Sequence, residues 1–162
     1  MFDEVIVNFS RMNKIIDFDE SYGILTCEAG CILQDLHNFL HEKGYLMPLD
    51  LGAKGSCHIG GNLATNAGGI HFIKYNSLHA NCAGLQVVLP NGTVLDNMTT
   101  LRKDNTGYDL KHLFIGAEGT LVTHKLALVN DPIFIGCHYL VCNSLSNKSK
   151  IQAPLHGLMQ VI

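Results

Sequence analysis

Met47-Pro48-Leu49-Asp50-Leu51-Gly52-Ala53-Lys54-Gly55-Ser56-Cys57-His58-Ile59-Gly60-Gly61-Asn62-Leu63-Ala64-Thr65-Asn66-Ala67-Gly68-Gly69 is the stretch on which the fold turns. Its 23 residues hold six glycines, two asparagines and one proline, with no sustained hydrophobic period, so the stretch reads as a loop. A loop this long inside a compact chain is usually functional or disordered, and its apolar content argues against disorder. Glycines let backbone N–H groups approach a ligand closely, and successive free N–H groups or a helix N-terminus bind anions, phosphate above all. Gly60 to Gly69 has that character, although the same composition also serves plain turn architecture. Two nucleotide loops are disfavoured. Lys54 precedes Gly55 and no GK[ST] occurs, which removes a Walker loop. No G-x-G-x-x-G follows a strand, which disfavours a Rossmann nicotinamide site.

Outward toward the N-terminus, Ile32, Leu33, Leu36, Phe39 and Leu40 fall on the period of an amphipathic helix over 32–43, with Gly44 as its C′ residue. Before it, Gly23 to Cys27 reads as a strand that stops at Glu28-Ala29-Gly30, and Asp17 to Glu20 as an acidic turn after Ile15-Ile16. Outward toward the C-terminus, Asn91-Gly92 sits between two β-prone runs over 84–95 and predicts a tight antiparallel hairpin. A polar segment (102–109), a short apolar run (110–115), Gly116-Ala117-Glu118-Gly119 and a strand candidate (121–129) follow. Residues 131–162 read as a poorly specified tail, leaving 1–130 as the domain. The pattern predicts an α+β fold.

The chain has 162 residues, 47% of them apolar and 15% charged, which is ordinary for a packed core. Eleven basic residues against fourteen acidic ones give a net charge of −3 with no basic stripe, so nucleic acid is not an expected partner. No run approaches the ~20 apolar residues of a membrane span. The opening MFDEVIVNFS is not read as a targeting segment. Six cysteines without a secretory signal are expected to be reduced.

Residues 46–119 closely resemble the FAD-binding domain of D-2-hydroxyglutarate dehydrogenases, in the vanillyl-alcohol-oxidase (PCMH) type of flavoprotein. The segments that carry this are the one quoted above, then Leu101-Arg102-Lys103-Asp104-Asn105-Thr106-Gly107-Tyr108-Asp109-Leu110-Lys111, then Glu118-Gly119-Thr120-Leu121. Weaker similarity runs through Phe2-Asp3-Glu4 and Glu28-Ala29-Gly30-Cys31. The G-G-N-x-A-T-N-A-G-G run is shared with D-lactate dehydrogenases and glycolate oxidases of the same type. The likeness implies a mixed or antiparallel sheet with flanking helices, FAD as cofactor, and hydride transfer from a 2-hydroxy acid to flavin and on to an electron acceptor. It implies that Pro48, Leu49, Asp50 and Gly52 line the flavin. Ser56, Gly60, Gly61 and Asn62 would wrap the pyrophosphate and ribityl chain, Thr65, Asn66 and Gly68 would complete the contacts, and Glu118 and Gly119 would close on the adenosine side. Ala29-Gly30 matches a further close-approach position. A mitochondrial location is implied too.

Against the same pattern, the chain is expected to be truncated at both ends. The first pyrophosphate loop and the C-terminal substrate domain, with its zinc ligands, fall outside it, and turnover by the 162-residue chain alone is not expected. A non-catalytic remnant is the other reading. Leu121-Val122-Thr123-His124-Lys125 stands where L-G-I-I-T-K is expected, one residue short, and a one-residue shift turns later strand side chains to the opposite face. The remaining candidates read as structural. His37 and His41, spaced i, i+4, are expected on a solvated face rather than on zinc. Cys27/Cys31 are expected to pack rather than bind metal, Cys57-His58 to pack rather than act as a thiolate pair, Arg102-Lys103 to be a solvated pair, and Tyr108 and His112 to pack along one helix turn.

Overall fold

The computed structural model describes residues 7–101, 104–130 and 133–134. The first hairpin joins β1 (Ile15–Asp19) to β2 (Ile24–Glu28), with Phe18 opposite Leu25 and Asp19 opposite Ile24. The acidic turn expected at 17–20 is therefore mostly strand, and the turn lies after Asp19. Phe18 decides this: its ring packs edge-on against Tyr45 at 4.9 Å and Phe39 at 6.0 Å. Burying that aromatic outweighs the turn preference of the acids around it.

Helix α1 (Leu33–Glu42) matches the predicted span. Its Leu33, Leu36 and Leu40 are fully buried, each worth roughly 1.5–3 kcal/mol of transfer free energy. Asp35 in the first turn and His41 in the last suit the helix dipole. Gly44, at φ +83°, ends the helix with its N–H on the His41 carbonyl. The chain then forms β3 (Tyr45–Leu46), paired with β7 (Ile133–Phe134). Of the predicted tail, only this short strand lies within the described residues.

The glycine-rich stretch contains a helix, α2 (Ile59–Ala64), where the sequence predicts only loop. Two adjacent glycines hide it, since glycine costs roughly 1 kcal/mol against alanine in a helix interior. Packing supplies the compensation. Ile59 and Leu63 are fully buried, and the Gly60 N–H meets the Ala29 carbonyl at 2.8 Å. Two single-turn helices follow, α3 (Phe72–Tyr75) and α4 (Leu78–Asn81).

The hairpin of β4 (Cys82–Val88) and β5 (Val94–Asn97) is present and antiparallel. Its turn is not centred on Asn91-Gly92. Gly92 donates to Leu89 and Leu89 to Thr93, with Gly92 at φ +84°, a three-residue loop whose last residue takes the left-handed conformation. Pro90 makes the difference, because its fixed φ suits the second position of such a turn. After α5 (Lys111–Phe114) comes β6 (Thr123–Asn130), the middle strand of a five-stranded sheet ordered β1-β2-β6-β4-β5. Every strand pairing described is antiparallel. Opposite Gln86-Val87, strand β6 places Leu126 and His124, so Lys125 is an extra residue in the ladder. The main core lies between the sheet and α1, α2, α4 and α5.

Candidate functional site

A cleft of about 370 Å³ opens between α2 and the start of β6. From the predicted set it brings together Ser56, Gly60, Gly61 and Gly119. Ala29, His58 and Ala64 line it beside them, with Phe9, Val122, Thr123 and His124 completing the wall.

The two helix glycines do different work. A Cβ at Gly60 would stand 2.7 Å from the Ala29 Cβ and 2.9 Å from its carbonyl oxygen, so this position allows α2 to sit on the turn after β2. A Cβ at Gly61 would meet nothing within 4 Å. Gly61 is exposed on the cleft, and no backbone acceptor among the described residues takes its N–H. The neighbouring donors are all occupied: Ile59 on Cys31, Gly60 on Ala29, Asn62 on His58. A free N–H beside an empty, Cβ-free wall is the geometry a phosphate oxygen requires.

Other predicted residues lie off the cleft wall. Pro48 and Leu49 are buried, and the Leu49 carbonyl accepts a 2.7 Å hydrogen bond from His37 Nε2. His37 is thus a half-buried clamp between α1 and the glycine-rich stretch, not a residue of a solvated face. Burial lowers its pKa, with the Leu49 bond opposing. Asp50 pairs with Lys54 at 3.0 Å. Burial pushes that carboxyl up, and the lysine outweighs it and holds it below the usual range. Gly52 faces open space, whereas a Cβ at Gly68 would meet the Phe72 ring at 2.4 Å. Gly30 likewise serves a close approach within the protein, since a Cβ there would sit 2.0 Å from the Phe9 carbonyl oxygen.

Asn62 is turned inward, its amide 3.5 Å from Cys57 Sγ. Thr65 Oγ1 donates to the carbonyls of Gly61 and Asn62 at the C-terminal end of α2. Asn66 takes φ +50°, and its Oδ1 accepts the His79 N–H at 3.0 Å. His79 Nε2 lies 3.1 Å from the Ile115 carbonyl. The next loop donates back to α2, Gly116 to Leu63 and Glu118 to Ala64, each at 2.9 Å. Asn66, Glu118 and Gly119 are thereby held around one helix end, and this fixes one lip of the cleft. Burial, then His112 and Lys111, lower the pKa of His79.

His112 stacks edge-on against His79 at 4.9 Å and lies 3.4 Å from Asp109. It does not pack with Tyr108, which precedes α5 and is 98% exposed. Cys27, Cys31, Cys57 and Cys82 are free thiols, and burial pushes that of Cys82 up to about 12. Among the described residues no cluster of three His, Cys, Asp or Glu could hold a metal. Arg102, Lys103, Cys137 and Cys142 lie outside the described residues.

Sequence reading missed the β6 side of the cleft, above all His124. This side chain is 5% exposed, and its Nε2 is buried without a hydrogen-bond partner. Nothing local in Leu121 to Lys125 marks a ligand residue. Only the pairing of β6 against β4 and its packing on α2 bring His124 there. The free Gly61 N–H on a wall without a Cβ fits a phosphate-bearing ligand.

The FAD binding domain family model matches residues 1–97. The chain belongs to that family. It is 58% identical over 159 residues to the mitochondrial D-2-hydroxyglutarate dehydrogenase of Arabidopsis thaliana, covering 93% of this chain and 28% of the relative. It is 60% identical over 147 residues to the corresponding Danio rerio protein, covering 89% and 28%. The chain thus spans little more than a quarter of the curated relatives it matches. Among solved structures, an alkyldihydroxyacetonephosphate synthase superposes with a TM-score of 0.65 at 27% identity, over 74% of this chain and 21% of that one. The α+β fold is that of the PCMH-type FAD-binding domain. No helix among the described residues is long and apolar enough to cross a membrane.

Proposed function

We propose that the chain forms part of the FAD site of an oxidoreductase that converts D-2-hydroxyglutarate to 2-oxoglutarate. The observation that carries this is the cleft itself: an unobstructed Gly61 with a free N–H on its wall. Relatives named D-2-hydroxyglutarate dehydrogenase supply the substrate side of the reading.

Ser56, Gly60, Gly61 and Gly119 would hold the cofactor directly. Pro48, Leu49, Asp50, Gly52, Asn62, Thr65, Asn66, Gly68 and Glu118 would shape the surrounding wall or touch it where the ligand runs beyond the cleft. FAD, when bound, supplies the acceptor for a hydride from C2 of the hydroxy acid. The chain's own part is positioning. Gly61 admits an anionic group next to the backbone, and the Asn66–His79–Ile115 clamp keeps the far lip in place. By the relatives' names, a mitochondrial location and a small 2-hydroxy acid substrate belong to the same proposal.

Two measurements test it. Purified chain titrated with FAD should quench flavin fluorescence and retain yellow colour after gel filtration. In a chimera, residues 47–119 of this chain should replace their counterparts in the Danio rerio relative without loss of D-2-hydroxyglutarate oxidation over D-lactate. A chimera that folds but holds no flavin refutes the cofactor reading. One that holds flavin and prefers D-lactate refutes the substrate.

A further inference from the structure

We propose that Phe9 is a stacking platform of the cleft, its ring lying against the adenine of the bound dinucleotide. The proposal rests on the FAD-site reading and deepens it. It gives the cleft to the adenine nucleotide half of the cofactor and adds a residue outside every glycine-rich segment.

Phe9 lines the cleft and is only half-buried. It belongs to neither hydrophobic cluster of the fold. Among the described residues no other aromatic ring and no cation packs on its face. Its backbone is nonetheless firmly placed. The Phe9 carbonyl accepts the Met12 N–H at 2.8 Å, and the Met12 carbonyl accepts the Gly30 N–H at 2.8 Å. A Cβ at Gly30 would stand 2.0 Å from that same Phe9 oxygen, so any side chain there would displace the segment. Gly30 is not part of the cleft wall. The Phe9 carbonyl is thereby used on the side of the β2 turn, and the ring is what Phe9 contributes to the cleft. Ala29, Ala64 and Val122 extend the wall with apolar surface. An aromatic side chain on a fixed backbone, without a ring partner of its own, offers a flat π-face to a flat ligand.

FAD carries two such rings, and the rest of the wall chooses between them. No Lys or Arg lines the cleft among the described residues. The reacting flavin ring shares its surroundings with a substrate bearing two carboxylates, whose recognition calls for cationic donors. Adenine makes no such demand. The size agrees, since about 370 Å³ is near the small end of ligand pockets and suits one nucleotide rather than a whole dinucleotide. On the same cleft the free Gly61 N–H meets the phosphate. Phosphate toward Gly61 and base toward Phe9 then fix the orientation.

The test is titration of the purified chain with FAD, followed by flavin fluorescence, and with ADP and FMN, followed by calorimetry. Phe9→Ala should bind FAD and ADP roughly five- to a hundredfold more weakly, the loss of one stacked base. FMN, which has the flavin ring and a phosphate but no adenine, should bind wild type and variant alike. Phe9→Tyr, which keeps a ring, should hold ADP as wild type does, whereas Phe9→Leu, apolar but not flat, should fall toward Phe9→Ala. A merely structural ring would leave the ligand's own spectrum unmoved. The adenine ring-proton resonances of ADP should therefore shift upfield on binding wild type and Phe9→Tyr, and stay in place with Phe9→Leu.

Equal FAD and ADP affinity in wild type and Phe9→Ala overturns the proposal while leaving the FAD site standing. Weaker FMN binding by Phe9→Ala with ADP unaffected also overturns it, because the flavin ring then occupies the platform. A wild-type chain that binds no FAD overturns both readings. Should Phe9→Ala not fold, the ring-proton resonances of ADP on the wild-type chain decide, and stationary resonances in the bound nucleotide count against the platform.

Discussion

Gly60 and Gly61 are adjacent on α2, yet replacing each by alanine should move stability in opposite directions. At Gly60 the new methyl would meet the Ala29 Cβ at 2.7 Å and its carbonyl oxygen at 2.9 Å, against ordinary contact beginning near 3.4 Å. Two of the three opposing atoms are backbone and cannot rotate aside, so the upper half of the overpacking range, about 2–3 kcal/mol, applies. Helix propensity returns about 1 kcal/mol, leaving Gly60→Ala less stable by about 1–2 kcal/mol. At Gly61 the methyl meets nothing within 4 Å. Propensity alone then acts, and Gly61→Ala should be more stable by up to about 1 kcal/mol. Urea unfolding followed by circular dichroism, with unchanged m-values, measures both as shifts of the midpoint. Shifts of the same sign, or a neutral Gly60→Ala, would refute the packing of α2 on Ala29.

Gly61→Val should fold and yet lose FAD, because its branched side chain fills the empty cleft wall. Wild type at a hundredfold excess of FAD over its dissociation constant should gain about 2.7 kcal/mol in stability, a gain absent from the variant in thermal melts. Asn66→Ala should cost about 1–2 kcal/mol, losing both the His79 contact and an easily held φ of +50°. Asn66→Gly, which relaxes only the second, should cost less in the same melt. The chain should also weaken below neutral pH. Burial holds the folded pKa of His124 below the unfolded 6.5, so the unfolded chain binds the proton more readily. That stability is present in full above pH 6.5 and declines on acidification toward the folded pKa, by at most about 1.4 kcal/mol per pH unit for this residue. Urea midpoints at several pH values check it, and His124→Gln should show a shallower decline.

Elements whose local chemistry agrees with their packing were readable from the residues: α1 from its leucine period, β2 from its apolar run, the β4–β5 hairpin from its turn residues. Those decided by distant contacts were not. Helix α2 opposes its own propensity and exists because Gly60 fits against Ala29. Strand β1 carries acids that suggest a turn, and Phe18 overrules them by packing on Phe39 and Tyr45. The cleft was half legible. Glycines advertise a close approach without saying what approaches: at Gly30, Gly60 and Gly68 it is the protein itself, and at Gly61 it is open space. His124 gave no local sign, because its environment is assembled from β6, α2 and the end of α5.

The place of β6 at the centre of the sheet has a consequence for biogenesis. The ribosome releases the β1–β2 hairpin first and the β4–β5 hairpin much later, and each can pair internally while the chain is still growing. Neither can join the other, because residues 123–130 must lie between them. Until Asn130 emerges, the edges of β2 and β4 that await β6 stay open to other chains. The separation in sequence between Cys27 and its partner Ala127 also makes this closure slow. A nascent chain stalled short of Thr123 would hold two unjoined hairpins and half of its cleft, a natural client for chaperones.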